Sequence, residues 1–131
     1  SMVLDEDPYF MVALAWAESR LQTGKVSPTG DYGIFQINYS FWGREWGYGN
    51  RSKFLTDMSK TKYATVAATV VLNEMRRYKT CKGLNLPACY NGGPNWQNSK
   101  NKERIMTYAA KVNRMRSIFR RKSPQWLEIT P

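Results

Sequence analysis

The chain has 131 residues, 42% of them hydrophobic, which is enough for one domain with a real core and too little for two. Lys and Arg number 20 against 10 Asp and Glu, giving a formal net charge of +10, and there is no His. That excludes Ser-His and Cys-His nucleophilic dyads and disfavours a zinc site, so no metal and no cofactor is expected.

The charge favours a polyanionic partner without choosing among nucleic acid, teichoic acid, anionic lipid and peptidoglycan. No apolar run approaches the roughly 20 residues that a membrane-spanning helix needs. Ser1-Met2 reads as a cloning remnant, and the acidic start to Asp7 lacks the basic region of a secretion signal.

Asp5-Glu6-Asp7-Pro8 predicts a helix start, with acids at the positive end of the helix dipole and Pro8 at the first helical position. The helix is expected over 8–21, with Gly24 as its stop. From Tyr9 to Ala17 it is almost purely apolar, as a core helix would be. One carboxylate, Glu18, closes the run. Either Glu18 faces solvent at the edge of the helix, or it is half-embedded. An embedded carboxyl has its pKa pushed up, which suits a general acid.

The segment 25–38 begins turn-rich, with Pro28, Gly30 and Gly33, and ends in Ile34-Phe35-Gln36-Ile37-Asn38. So few residues predict either a short buried strand or a tight helical turn. Gln36 needs partners for its amide, from backbone groups or from a ligand. The following Tyr39, Phe41, Trp42, Trp46 and Tyr48, interspersed with glycines, anchor a loop to the core, stack on sugar rings or stack on bases.

A second helix is expected over 61–79, with Tyr63, Val66, Ala67, Val70, Val71, Met75 and Tyr78 as one buried stripe. Cys81 and Cys89 bracket a loop that leads into Tyr90-Asn91. Their spacing fits a small stapled loop or two free thiols rather than a CxxC motif. The stretch 98–102 is polar. A third helix over 103–120 carries Ile105, Tyr108, Ala109, Val112, Met115 and Phe119 on its apolar face and a basic remainder. Pro124 is expected to end it, with a loosely packed tail to Pro131. The expected architecture is a single all-α or mainly α domain over 1–131, with at most a very short β element near 31–38.

Four motifs then stand in order: Glu18-Ser19, Tyr32-Gly33-Ile34-Phe35-Gln36-Ile37-Asn38, Ala88-Cys89-Tyr90-Asn91-Gly92-Gly93-Pro94, and Tyr108-Ala109-Ala110-Lys111-Val112. In that order they resemble the soluble lytic transglycosylase (SLT) domain of the lysozyme-like superfamily, with its "ES", "GLMQ", "AYNAG" and "YVxKV"-like motifs, over nearly the whole chain. Phe35 stands where Met is usual, and Cys89 where a small apolar residue is usual.

The resemblance implies that Glu18 is the sole catalytic acid and base. It implies that Ser27, Gln36, Tyr90 and Asn91 bind substrate, and that the Tyr108 hydroxyl lies close to the catalytic carboxyl. The implied reaction cleaves the MurNAc–GlcNAc β-1,4 bond of peptidoglycan strands and leaves 1,6-anhydro-MurNAc. The implied setting is the bacterial periplasm or cell envelope, or a phage virion or secretion system acting there, with a larger parent protein.

The stretch from Asp31 to Asn38 also resembles animal c-type lysozymes, in which Asp31 would be a second catalytic carboxylate of a hydrolysing muramidase. The short Glu18-to-Asp31 loop and Tyr90-Asn91 favour the transglycosylase. The remaining reading is a non-catalytic module that grips glycan or, less favoured, nucleic acid.

Overall fold

The computed structural model describes residues 6–129, with side chains through residue 122. Ser1-Met2, the acidic start at Asp5 and the last residues of the tail lie outside the described residues. The fold is mainly α: α1 (Pro8–Ser19), α2 (Arg51–Met58), α3 (Thr61–Met75), α4 (Leu86–Gly92) and α5 (Lys102–Ile129). A two-strand hairpin, β1 (Asp31–Tyr32) and β2 (Ile37–Asn38), sits between α1 and α2.

Helix α1 starts where its sequence dictates. Asp7 caps it, accepting from the Tyr9 N–H at 2.9 Å, and Pro8 follows in the first turn. The acids there do more than favour the dipole. Asp7 also accepts from Arg116 and Arg120 of α5, each at 2.7 Å. Burial pushes its carboxyl up, but the bonds from Arg116 and the Tyr9 N–H and the two arginine charges outweigh that and hold it low. Glu6 forms a two-pronged pair with Arg76, just past the end of α3. The start of α1 is thereby fastened to α3 and α5.

Its end differs from expectation. The helix closes at Ser19 rather than near Leu21, because Arg20 takes a left-handed conformation (φ 56°) and donates its N–H to the Trp16 carbonyl. Gly24 has no part in the stop. Helix α3 likewise ends at Met75, short of residue 79, and 3-10 turns at Lys79–Cys81 and Gly83–Asn85 carry the chain to α4.

The core is built from one or more residues of each long helix: Leu14, Phe54, Leu72 and Val112 are fully buried. Phe54 of α2 receives the ring edges of Tyr32, Tyr39 and Tyr48, so three tyrosines pack around one phenyl. Helix α2 escapes the sequence pattern because Arg51-Ser52-Lys53 and Thr56-Asp57 dilute its apolar residues. Its legible signal is Asn50, which caps it by accepting from the Lys53 N–H at 2.7 Å.

On α3 the buried stripe is Ala64, Ala67, Ala68, Val71, Leu72 and Met75. Tyr63, Val66 and Tyr78, expected in that stripe, are exposed. Alanines let α3 approach its neighbours closely, which turns the helix so that the larger residues face outward. On α5, Ile105, Ala109 and Val112 are buried, with Tyr108, Met115 and Phe119 packed beside them, as its periodicity predicts.

Helix α5 also runs on to Ile129, past Pro124, the residue expected to end it. A helical proline removes its own N–H bond, here to the Arg120 carbonyl, and crowds that carbonyl. The helix of 28 residues gives up that bond and continues.

The segment 31–38 is a hairpin rather than a single strand or helical turn, pairing Asp31 with Asn38 and Tyr32 with Ile37. Gly33 turns it at φ 84°, with the Met58 carbonyl so close that an added Cβ would lie 2.2 Å from that oxygen. Cys81 and Cys89 form a disulfide, tying α4 to the turn before it. Trp96 donates its indole N–H to the Thr80 carbonyl at 3.1 Å, and the Thr80 hydroxyl donates to the Pro94 carbonyl at 2.7 Å.

Gly33→Ala should therefore lower stability by about 2–4 kcal/mol through a strained φ and a backbone clash together. Urea unfolding followed by circular dichroism checks this, as a lower midpoint at unchanged slope.

Candidate active site

Glu18 is the penultimate residue of α1, and its backbone is held from several sides. The neighbouring Ser19 is fully buried. Its hydroxyl donates to the Ile34 carbonyl of the hairpin turn at 2.7 Å, with the Ala15 carbonyl at 3.2 Å as a second acceptor, and it accepts from the Gln22 N–H at 3.2 Å. Lys25 donates its ammonium to the Glu18 carbonyl at 3.0 Å, a cation at the negative end of the helix dipole. The end of the helix and the hairpin are thus one rigid piece.

The Glu18 side chain keeps part of its surface open to a groove while protein atoms crowd its carboxyl. From behind, the Tyr108 hydroxyl of α5 donates to Glu18 Oε2. Burial raises the Glu18 pKa to about 7, against the lowering effect of the Tyr108 bond. The Asp31 charge adds to the rise and Lys25 opposes it. Near neutral pH the group is therefore divided between acid and base forms.

Asp31 is the opposite case. Burial pushes its carboxyl up, but three donors outweigh it and hold the group below the usual carboxylate range. Ser27 and Thr29 donate their hydroxyls to Oδ2 at 2.6 and 2.7 Å, and the Asn38 amide donates to Oδ1 at 2.9 Å. One carboxyl is poised to carry a proton and its neighbour stays charged.

Glu18 and Asp31 line a groove of about 400 Å³ together with Gln36, Asn38, Tyr90 and Asn91. Phe41 and Trp42 form one wall and Val71 and Met75 another. The Gln36 amide, at φ 53°, donates to the Lys25 and Gly33 carbonyls at 3.1 and 3.0 Å, so backbone groups satisfy its nitrogen. Tyr90 donates its hydroxyl to the Phe35 carbonyl at 2.7 Å and so ties α4 to the hairpin across the groove. Asn91 carries a buried side-chain oxygen without a hydrogen-bond partner. An unsatisfied buried acceptor costs stability and is explained where a ligand supplies the donor.

Burial and the charges of Glu18 and Asp31 push the Tyr90 phenol well up. Burial, the Glu18 charge and the bond to Glu18 do the same for Tyr108. Both stay neutral donors. Of the aromatic segment, Tyr39 is buried and Trp42, Trp46 and Tyr48 pack against the core, while Phe41 is 66% exposed.

The structure brings together Glu18, Asp31, Gln36, Tyr90 and Asn91 at the groove, with Tyr108 behind Glu18. Ser27, expected in the groove as a substrate ligand, does not line it. Its hydroxyl is committed to Asp31, which is close in sequence and leaves it no proton for a ligand. Asn38 and Thr29 escape sequence reasoning as site residues. The pairing of Asp31 with Asn38 across the hairpin is the signal that would have found Asn38, and Ser27-x-Thr29-x-Asp31 the one for Thr29.

A helical domain that holds one acid of raised pKa at the end of its first helix, against a small hairpin, has the organisation of the lysozyme-like superfamily. Within it, the model of the family described as the transglycosylase SLT domain matches residues 4–113, and the chain belongs to that family. Comparison with curated proteins and with solved structures returns no match. The family is of the lytic transglycosylase type, cleaves glycosidic bonds and acts on peptidoglycan, hence at the cell envelope. Among the described residues no helix is long and apolar enough to cross a membrane, and no group of acidic and Cys side chains could hold a metal ion.

The pKa of Glu18 can be read directly by carbon-13 NMR of the labelled carboxyl. It should lie near 7 and move higher in Tyr108→Phe, because the lost bond favoured the charged form. Stability carries the same sign. A carboxyl whose pKa is raised on folding favours the folded state at low pH and opposes it as pH rises from its unfolded value toward about 7. Glu18→Gln should thus be more stable than wild type at pH 8, by roughly 2–3 kcal/mol. That advantage should shrink as pH falls through 7 and vanish near pH 4.5, measured by denaturation at each pH.

Proposed function

We propose that this domain cleaves the MurNAc–GlcNAc β-1,4 bond of peptidoglycan as a lytic transglycosylase, with Glu18 as the sole acid and base. The observation that carries the reading is the contrast at the groove: a half-protonated Glu18 beside an Asp31 whose oxygens are occupied by three hydrogen-bond donors.

With Oε2 accepting from Tyr108, the proton of neutral Glu18 belongs on Oε1, from which it passes to the glycosidic oxygen. The bond to the sugar carbon breaks as the MurNAc N-acetyl oxygen meets the positive charge developing there. Glu18, now a carboxylate stabilised by Tyr108, then takes the proton of the MurNAc C6 hydroxyl. That oxygen closes on the sugar carbon and displaces the N-acetyl oxygen. The proton returns to Glu18, no water is consumed, and the product ends in 1,6-anhydro-MurNAc.

Asp31 serves as a fixed charge facing the developing cation, and Ser27 acts through it. Gln36, Tyr90 and Asn91 hold substrate, Tyr90 partly by fixing the groove wall. The setting is the periplasm or cell envelope, or a phage virion or secretion system that acts there.

A second reading rests on one observation, that Asp31 shares the groove and stays ionised. It could then act as the second carboxylate of a lysozyme-type hydrolase. Its bound oxygens argue against a nucleophile, since attack would break bonds to Ser27, Thr29 or Asn38.

Glu18→Gln should abolish most lysis of purified sacculi, by about 10²–10⁴ in rate, in a protein that still folds. Lysis by wild type should decline as pH rises through about 7, since the first step needs protonated Glu18. Mass spectrometry of the released muropeptides should show anhydro ends, one water lighter than hydrolysed ones, and Asp31→Asn should be the milder variant. A majority of reducing MurNAc ends, with Asp31→Asn as damaging as Glu18→Gln, would make the protein a muramidase instead.

A further inference from the structure

A second concavity lies on the outer side of α2 and α3. Trp46, Tyr48, Met58, Tyr63, Val66 and Val70 line a groove of about 620 Å³ that shares no lining residue with the catalytic groove. A smaller hollow of about 350 Å³ continues it past Gly49 and Lys53, with Trp46, Tyr48 and Asp57 common to both. Tyr63 and Val66 are 49% and 54% exposed. They flank the alanine stripe of α3, whose Ala67 forms part of the groove floor, and the fold leaves them uncovered. Trp46, Tyr48 and Val70 are half-buried beside them and Met58 is buried beneath, so the groove is apolar along its length.

Its chemistry is wrong for a glycan. A sugar needs several free hydrogen-bonding groups, as the catalytic groove provides with Glu18, Gln36 and Asn91. Here the one carboxylate, Asp57, is already committed, accepting from the Tyr48 hydroxyl at 2.6 Å and from Lys53 at 3.0 Å. What remains polar is cationic. Lys62 lines the groove and Lys60 rests over the Tyr63 ring at 5.4 Å, while Lys53 is paired with Asp57. A second copy of this chain is a poor occupant, because each carries a net charge of +10.

We propose that this lysine-rimmed apolar groove docks an amphipathic segment of a partner protein that carries acidic residues beside its apolar ones. The apolar side chains would seat among Tyr63, Val66 and Val70, spaced along two turns of α3, with Trp46 beside them, and the acids would meet Lys60 and Lys62. The site stands apart from the glycan cleft, so it does not depend on what that cleft cuts.

The test uses two synthetic 16-residue helical peptides with the same leucine pattern, one with Glu and one with Lys at the polar positions. They are titrated into the nitrogen-15-labelled protein at about 100 mM salt. The Glu peptide should shift amides around Trp46, Tyr63 and Val66 and bind about tenfold or more tighter than the Lys peptide. Val66→Glu should weaken it by a similar factor while leaving lysis of sacculi unchanged. The double variant Lys60→Glu, Lys62→Glu should reverse the preference between the peptides, which also controls for misfolding. Equal binding of both peptides, no binding of the Glu peptide, or shifts confined to Gln36 and Asn91 would overturn the proposal. So would self-association that Val66→Glu abolishes in sedimentation, which would make a second copy the occupant.

Discussion

The hydrogen bond from Tyr108 to Glu18 joins residues 90 positions apart and ties α5 to the end of α1. Around it the fold resolves a conflict. A carboxyl surrounded by protein is driven toward its neutral form, and the further its pKa rises the more reluctantly it gives up its proton. The phenol opposes that drift by stabilising the charged form, and its own raised pKa keeps it a donor throughout. The balance leaves Glu18 near pH 7. Much else follows from holding the two together: α5 must pack on α1, and the end of α1 must not fray. Ser19, locked to the hairpin turn, and Lys25, on the Glu18 carbonyl, meet the second demand.

Asp31 shows how the same carboxyl chemistry is set the other way within one groove. It is partly buried too, yet its oxygens meet Ser27, Thr29 and Asn38 rather than apolar surroundings. Local sequence supplies all three donors, two from the turn before it and one from the opposite strand. Glu18 has no such local supply, because the residues before it in α1 are apolar, and its one side-chain donor comes from the far end of the chain. The difference between the two groups is thus a difference between a hairpin, which crowds polar neighbours together, and a core helix, which excludes them.

Much of this was legible in the sequence, and the unreadable parts share a cause. The apolar run into Glu18, the Asp7-Pro8 start and the periodic face of α5 are local patterns, and the structure follows them. The four ordered motifs place Gln36, Tyr90 and Asn91 on elements that the fold gathers at one groove. What sequence missed depends on contacts between elements. Arg20 ends α1 in a conformation that glycine more commonly takes. The alanines of α3 turn it so that Val66 and Tyr63 face outward, although hydrophobicity alone puts them inside. Helix α2 is too polar to show a period, and Pro124 stands inside α5 at the loss of one backbone bond. The family resemblance implies Ser27 as a substrate ligand, while its hydroxyl has a nearer acceptor in Asp31.

Helices α1 and α5 run antiparallel, tied at both ends: Asp7 to Arg116 and Arg120, and Glu18 to Tyr108. Asp7 and Glu18 are about 16 Å apart at the helical rise of 1.5 Å per residue. Tyr108 lies about 12 Å from Arg116 and about 18 Å from Arg120 on the same scale, so the two helices measure each other like a pair of rulers. Either helix tolerates a change of side chain between the ties more readily than a change of length. One residue added or removed there would rotate everything beyond it by about 100° and carry one tie to the wrong face. The spacing of the first and last functional segments is therefore fixed by counting residues as much as by their identity.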